Sequence, residues 1–109
     1  MSGKYKVIWT DIAEDDLAGI IEYIAHDSPS HARKLLREIQ DKGASLYLSP
    51  DRGRIIPELQ KHGILQYREI IISPWRIAYR IADRNVYILS VLDSRQNVED
   101  ILFKRLIRH

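Results

Sequence analysis

The chain has 109 residues, 45% of them apolar, no cysteine and a formal net charge of +2. This length suits one domain, residues 1–109, with a modest core, and the absence of cysteine excludes disulfides and thiolate metal sites, as befits a reducing cytosol. Residues Met1 to Lys6 lack the apolar stretch of a signal peptide, and no apolar run is long enough to span a bilayer, so a soluble, cytoplasmic protein is expected.

The charge is unevenly placed. Residues 1–48 hold six Lys/Arg against eight Asp/Glu, whereas residues 49–109 hold eleven against seven, and nine of those eleven cations are arginine. Arginine suits bidentate contact with phosphate or carboxylate. A basic face built from the C-terminal half could meet RNA or an acidic partner, but charge alone favours an ordinary solvated surface.

Lys4 to Trp9 alternates, with Tyr5, Val7 and Trp9 on one side and the lysines opposite, which predicts a half-buried strand near a sheet edge. Ala13, Leu17, Ile20, Ile21 and Ile24 then recur at helical spacing, and Asp11 with Glu14 resembles a capping box, predicting a helix to about Ala25. Ser28-Pro29 begins a second helix, with serine as N-cap and proline in the first turn. Its apolar stripe is Ala32, Leu35, Leu36, Ile39, Gly43 and Leu46, and Gly43 on that stripe signals a close crossing. Ser49 to Gly53 stops the helix, so the two helices read as an antiparallel hairpin.

A loop to about Gly63 precedes three strands, Leu65 to Ile72, Trp75 to Ile81 and Val86 to Leu92, separated by short turns. The third strand is nearly all apolar and is expected to be central. In the second, Trp75, Ile77, Tyr79 and Ile81 face one way while Arg76, Ala78 and Arg80 face the other. A last helix starts near Asn97, with acids in its first turn, Val98, Ile101, Leu102 and Leu106 on its apolar face, and Lys104, Arg105 and Arg108 towards its end. The order β-α-α-β-β-β-α describes an α+β fold with a helical hairpin on a mainly antiparallel four-stranded sheet. Leu17, Ile20, Ile24, Leu35, Ile39, Leu46, Ile77, Tyr79, Ile88 and Val91 are expected in one core.

The histidines 26, 31, 62 and 109 have no metal-ligand spacing, and no glycine-rich nucleotide cradle or local serine-nucleophile signature is present. No metal and no cofactor is expected. What remains is arginine on a sheet. Arg68, Arg76 and Arg95 could converge on one face as a functional cluster, or pair internally with Glu69, Asp93 and helix carboxylates.

Tyr67-Arg68-Glu69, then Trp75-Arg76-Ile77-Ala78-Tyr79-Arg80-Ile81, then Val86 to Arg95 resemble the core of the RelE/ParE toxin superfamily, in its ParE branch. That pattern has an aromatic-Arg-apolar-x-Tyr strand and a last strand ending Val-Leu-His-Gly-Arg. Here Asp93 and Ser94 stand in place of its His and Gly. The resemblance covers about residues 4–107. It implies a type II toxin that binds and poisons DNA gyrase, contacting it through Arg76, Arg95, Lys104, Arg105 and Arg108, with Phe103 beside them. It also implies a hetero-oligomer with a cognate antitoxin, whose amphipathic tail would lie along the hairpin and sheet edge over Leu36, Tyr47, Arg68 and Arg80. One alternative is a ribosome-dependent mRNA endonuclease using Arg68, Arg76 and Arg95, although residues 97–100 and the positions Tyr67 and Glu69 offer no clear proton-transfer pair. Another is a degenerate member that binds an antitoxin without toxicity.

Overall fold

The computed structural model describes residues 4–107. Strand β1 (Lys6–Trp9) leads into helix α1 (Asp11–Asp27) through Thr10. The Thr10 hydroxyl accepts from the Ala13 N–H at 3.3 Å and donates to the Ile88 carbonyl at 2.8 Å, so one side chain caps the helix and ties its start to the sheet. The N-cap is therefore Thr10 rather than Asp11, and Asp11 and Glu14 occupy the first turn, where the helix dipole favours acids. Ser28 serves two helices at once. Its N–H donates to Ile24 O at the end of α1, and its hydroxyl accepts from His31 N at 3.3 Å to open α2 (Pro29–Ala44). A single shared cap keeps the hairpin turn short.

A 3-10 turn (Ser45–Tyr47) follows, then strand β2 (Arg54–Ile55), helix α3 (Pro57–Gln60), and strands β3 (Tyr67–Ile72), β4 (Trp75–Ala82) and β5 (Asn85–Asp93). Helix α4 (Val98–Leu102) starts from Asn97, whose side chain accepts from Asp100 N, and continues as wider π turns over Phe103–Ile107. The sheet has five strands in the order β1-β5-β4-β3-β2, all neighbours antiparallel except the parallel pair β1–β5. The expected four-stranded sheet thus gains β2, and the expected loop to Gly63 contains α3. A two-residue strand and a four-residue helix are too short to display a period. β1 lies at the edge as its lysines suggest; β5 is interior, but β4 is the middle strand.

The hairpin covers one face. Leu17, Leu35, Ile39, Leu46, Ile77, Tyr79, Ile88 and Val91 form a single buried cluster there, with Ile20 and Ile24 partly buried against it. At Gly43 a Cβ would lie 3.2 Å from both the Trp9 ring and Ile88 Cδ1, so the helix approaches the sheet as closely as glycine allows. The opposite face, expected to present a polar Arg-Ala-Arg row, instead carries a second core: Ile56, Leu59, Tyr67, Ala78, Leu92, Val98 and Leu102, supplied by α3, α4 and the sheet. A bulge lets β5 serve both faces. Ala78 pairs with Ser90 and Tyr79 with Ile88, which leaves Leu89 as the extra residue. Ile88 and Val91 then reach the hairpin core, while Leu89 and Leu92 reach the second one.

Candidate functional site

Register decides where the sheet arginines go. Arg68 stands opposite Tyr79 and Arg76 opposite Ile71, so alternation sends them to opposite faces and they do not converge. Arg76 is only 7% exposed. Its Nε donates to Glu69 Oε1 at 2.7 Å and its Nη2 to Glu69 Oε2 at 3.0 Å, while Nη1 and Nη2 donate to the two Glu58 oxygens at 2.8 and 2.6 Å. Glu69 also accepts from Arg54 Nε at 2.8 Å. The result is an alternating chain Glu58–Arg76–Glu69–Arg54 that joins α3, β4, β3 and β2. Hydrogen bonds from Arg76 hold the Glu58 carboxyl below the usual carboxylate range, and Glu58 in turn raises the Arg76 guanidinium further above its already high value. A guanidinium so enclosed has little left to offer a phosphate or a partner surface.

Arg95 lies elsewhere, in a groove of about 640 Å³ between α1, the end of β5 and the last helix. Its Nε and Nη2 donate to Asp93 at 2.8 and 2.7 Å, and its backbone N–H donates to the same carboxylate. These bonds hold Asp93 down to about 2. The position where the ParE pattern has histidine is thus a carboxylate clamped by the arginine two residues on. β1 pairs with β5 only as far as Ile88, and beyond it Asp16 of α1 takes the place of a strand neighbour. Its Oδ2 accepts from Val91 N at 3.0 Å and from Arg105 Nη1 at 2.7 Å, while Oδ1 accepts from Arg105 Nη2 at 3.1 Å. Arg105 Nη1 also donates to Ser90 Oγ at 3.1 Å. Arg105 is therefore a clasp between the last helix and α1. Around the groove Arg95, Lys104 and Arg105 face Asp16, Asp93 and Asp100, so its ionic charges balance. Lys104 is exposed, and among the described residues it has no carboxylate partner. Arg108 lies outside the described residues.

Arg68 Nη1 donates to Gly53 O at 2.7 Å and reaches Asp51 O at 3.5 Å. The same loop is held by Tyr79, whose hydroxyl donates to Pro50 O at 2.7 Å and accepts from Gly53 N at 3.0 Å; burial pushes that phenol up. A Cβ on Gly53 would meet Glu69 O at 2.5 Å, so the loop touches the sheet backbone. Arg80 is exposed on the far face of β4, Tyr47 is exposed beyond α2, and Leu36 is half-buried in a groove between α1 and α2. Phe103 stands edge-on to His62, with ring centroids 5.1 Å apart, and packs against the second core.

Tyr23, 80% exposed, lines the groove that holds Arg95, but among the described residues no side chain is hydrogen-bonded to its hydroxyl as a base would be. Among the described residues no group of His, Cys, Asp and Glu could hold a metal ion, and no helix is long and apolar enough to cross a membrane. Sequence reasoning named Glu69, Asp93 and helix carboxylates as possible internal partners without singling out Asp16, and it did not reach Glu58. Asp16 had a legible signal, a carboxylate beside Leu17 on the inward edge of an amphipathic helix; Glu58 lay in the segment read as loop.

The fold and its two arginine clusters define a class of small α+β proteins with an N-terminal helical hairpin on one sheet face and a short C-terminal helix on the other. Residues 7–98 match the ParE toxin of the type II toxin-antitoxin system, parDE. The chain is similar to Toxin RelE2 of Caulobacter vibrioides, at 31% identity over 87 residues, covering 79% of this chain and 91% of that one. Among solved structures, it resembles one of a chromosomal ParDE TA system from P. aeruginosa with TM-score 0.67 and 21% identity, covering 84% of this chain and 98% of that one. It also resembles the toxin–antitoxin complex RelBE2 from Mycobacterium tuberculosis, with TM-score 0.59 and 23% identity over 85% of this chain and 94% of that one. The chain belongs to the ParE toxin family, within the RelE/ParE superfamily of type II toxins.

Proposed function

We propose that the chain is a toxin that acts by binding and poisoning DNA gyrase, and that a cognate antitoxin neutralises it. The observation that carries this reading is the state of Arg76, enclosed by Glu58 and Glu69 instead of open to a scissile phosphate. Arg105 is likewise engaged by Asp16, while Arg95 pairs with Asp93 at an exposed groove mouth. Cleavage by 2′-hydroxyl attack needs a base, a leaving-group acid and a free cation beside the phosphorane, and the described residues supply no such set. Target contact then falls to the exposed side of the last helix, with Lys104, which has no carboxylate partner among the described residues, and Arg95 at the groove mouth. The antitoxin partner rests on the family and on similar structures titled as toxin–antitoxin assemblies; Leu36 and Tyr47 on the hairpin side, with Arg80, are its proposed contacts.

A ribosome-dependent mRNA endonuclease is the second reading. The name of the relative RelE2 and the placement of Tyr23 in the Arg95 groove favour it. Purified protein added to a gyrase supercoiling reaction and to a programmed ribosome separates the two. Inhibited supercoiling with intact mRNA is expected, and Lys104→Glu should weaken it. Intact supercoiling with cleaved mRNA would reverse the reading.

A further inference from the structure

Helices α1 and α2 differ sharply in charge. α1 holds six Asp/Glu and no Lys/Arg, while α2 holds four Lys/Arg against two Asp/Glu. They lie side by side, and along their seam runs an apolar groove of about 380 Å³ whose lining includes Trp9, Ala18, Ile21 and Leu36. Glu22 and Arg33 on the two helices are exposed, and Glu14 stands on the groove's rim. Among the described residues no ion pair joins α1 to α2. Glu14 and Glu22 on one side and Arg33 on the other thus flank an open apolar seam, and among the described residues none of the three has an ion-pair partner, unlike Asp16, which Arg105 holds on the other side of α1.

We infer that this hairpin face binds a second copy of the same chain as a two-fold dimer. A surface that meets its own copy must be self-complementary, and charge selects among the possible symmetries. A two-fold axis across the helices would set α1 on α1 and α2 on α2, acid on acid and base on base. An axis running along the hairpin sets α1 of one protomer over α2 of its partner, and α2 over the partner's α1. Heights above the turn are kept in that arrangement. Glu22 stands six residues before Ser28 and Arg33 five after it, so each Glu22 meets the partner protomer's Arg33 and the pair forms twice. At the seam the small side chain of Ala18 leaves room for Leu36 of the other copy. The pairing concerns the chain alone and goes beyond the toxin reading, which neither requires nor excludes it. It covers Leu36, so a dimer and an antitoxin at that position would exclude one another.

The test needs no partner: the purified chain's molar mass by light scattering over a concentration series, at low and at high salt. A dimer that weakens as salt rises is expected. Glu22→Arg alone, or Arg33→Glu alone, should raise the dissociation constant about tenfold or more, since symmetry counts each reversal twice, and Glu22→Arg with Arg33→Glu should restore it. Both sites are exposed, so each variant should keep the parent's unfolding midpoint, which circular dichroism checks. A chain that stays monomeric at its highest soluble concentration would overturn the inference and leave the groove to a different partner. So would a dimer indifferent to both reversals, or one that the double variant fails to restore. The gyrase and ribosome assays need no dimer, so failure here is distinguishable from failure of the proposed function.

Discussion

Arg76 and Arg95 carry the same group near the same sheet and each meets a carboxylate, yet their situations are opposite. Arg76 is closed between two glutamates under α3 and the second core, within an ionic chain that ties four elements together. Arg95 pairs with Asp93 two residues away at a groove mouth, its side chain 72% exposed. Removing a buried partner strands an uncompensated charge, whereas removing an exposed one only returns its partner to water. A residue in the first situation builds the fold; a residue in the second is available to function.

The largest expected effect follows directly. Arg76→Ala leaves Glu69 buried without its main partner and should destabilise the fold by about 3 kcal/mol or more, read as a shift of the urea midpoint. A loss no larger than that of an exposed variant would break the contrast. Next comes Tyr79→Phe, which leaves the Pro50 carbonyl and the Gly53 N–H without their partner and should cost about 1–3 kcal/mol. Chemical denaturation measures it, and a neutral result would mean that the loop is not held from β4.

Acid sharpens the same comparison. The Glu58 carboxyl titrates lower in the folded chain than its ordinary value of 4.5. A group whose folded pKa is depressed contributes stability above its unfolded pKa and loses it as pH falls through the folded one. Stability should therefore decline below about pH 4.5, and Glu58→Gln should flatten that decline while lowering stability at neutral pH. A parent whose midpoint does not change between pH 6 and pH 3, values chosen to bracket the usual carboxylate range, would contradict the assignment. The smallest effect is Arg95→Ala, which should leave the unfolding midpoint where it is while altering target contact, measured by thermal melting beside the supercoiling assay.

Much of the fold was legible because long elements advertise their period. The hairpin, the Ser28–Pro29 start of its second helix, the three long strands and the buried set around Ile39, Ile77 and Ile88 all follow from spacing, caps and turns. The second core was less so, because Ile56 and Leu59 sit in elements too short to repeat, and Val98 and Leu102 name a helix face without saying what it covers. The arginines were visible as residues but not as partners. Glu58 and Asp16 are distant in sequence from the cations they hold, and only the register of β3 on β4 shows that Arg68 and Arg76 face opposite ways.

The most direct test of the claim that Arg76 builds the fold while the last helix meets the target is the inhibition of gyrase supercoiling by Arg76→Lys, assayed well below that variant's own unfolding midpoint. Lysine keeps a cation between Glu58 and Glu69 but loses the bidentate geometry, so the variant should be less stable. Inhibition per folded molecule equal to the parent's is the expected result. A variant that is folded at the assay temperature and leaves gyrase untouched would contradict it, by placing the Arg76 guanidinium at the target instead of in the frame.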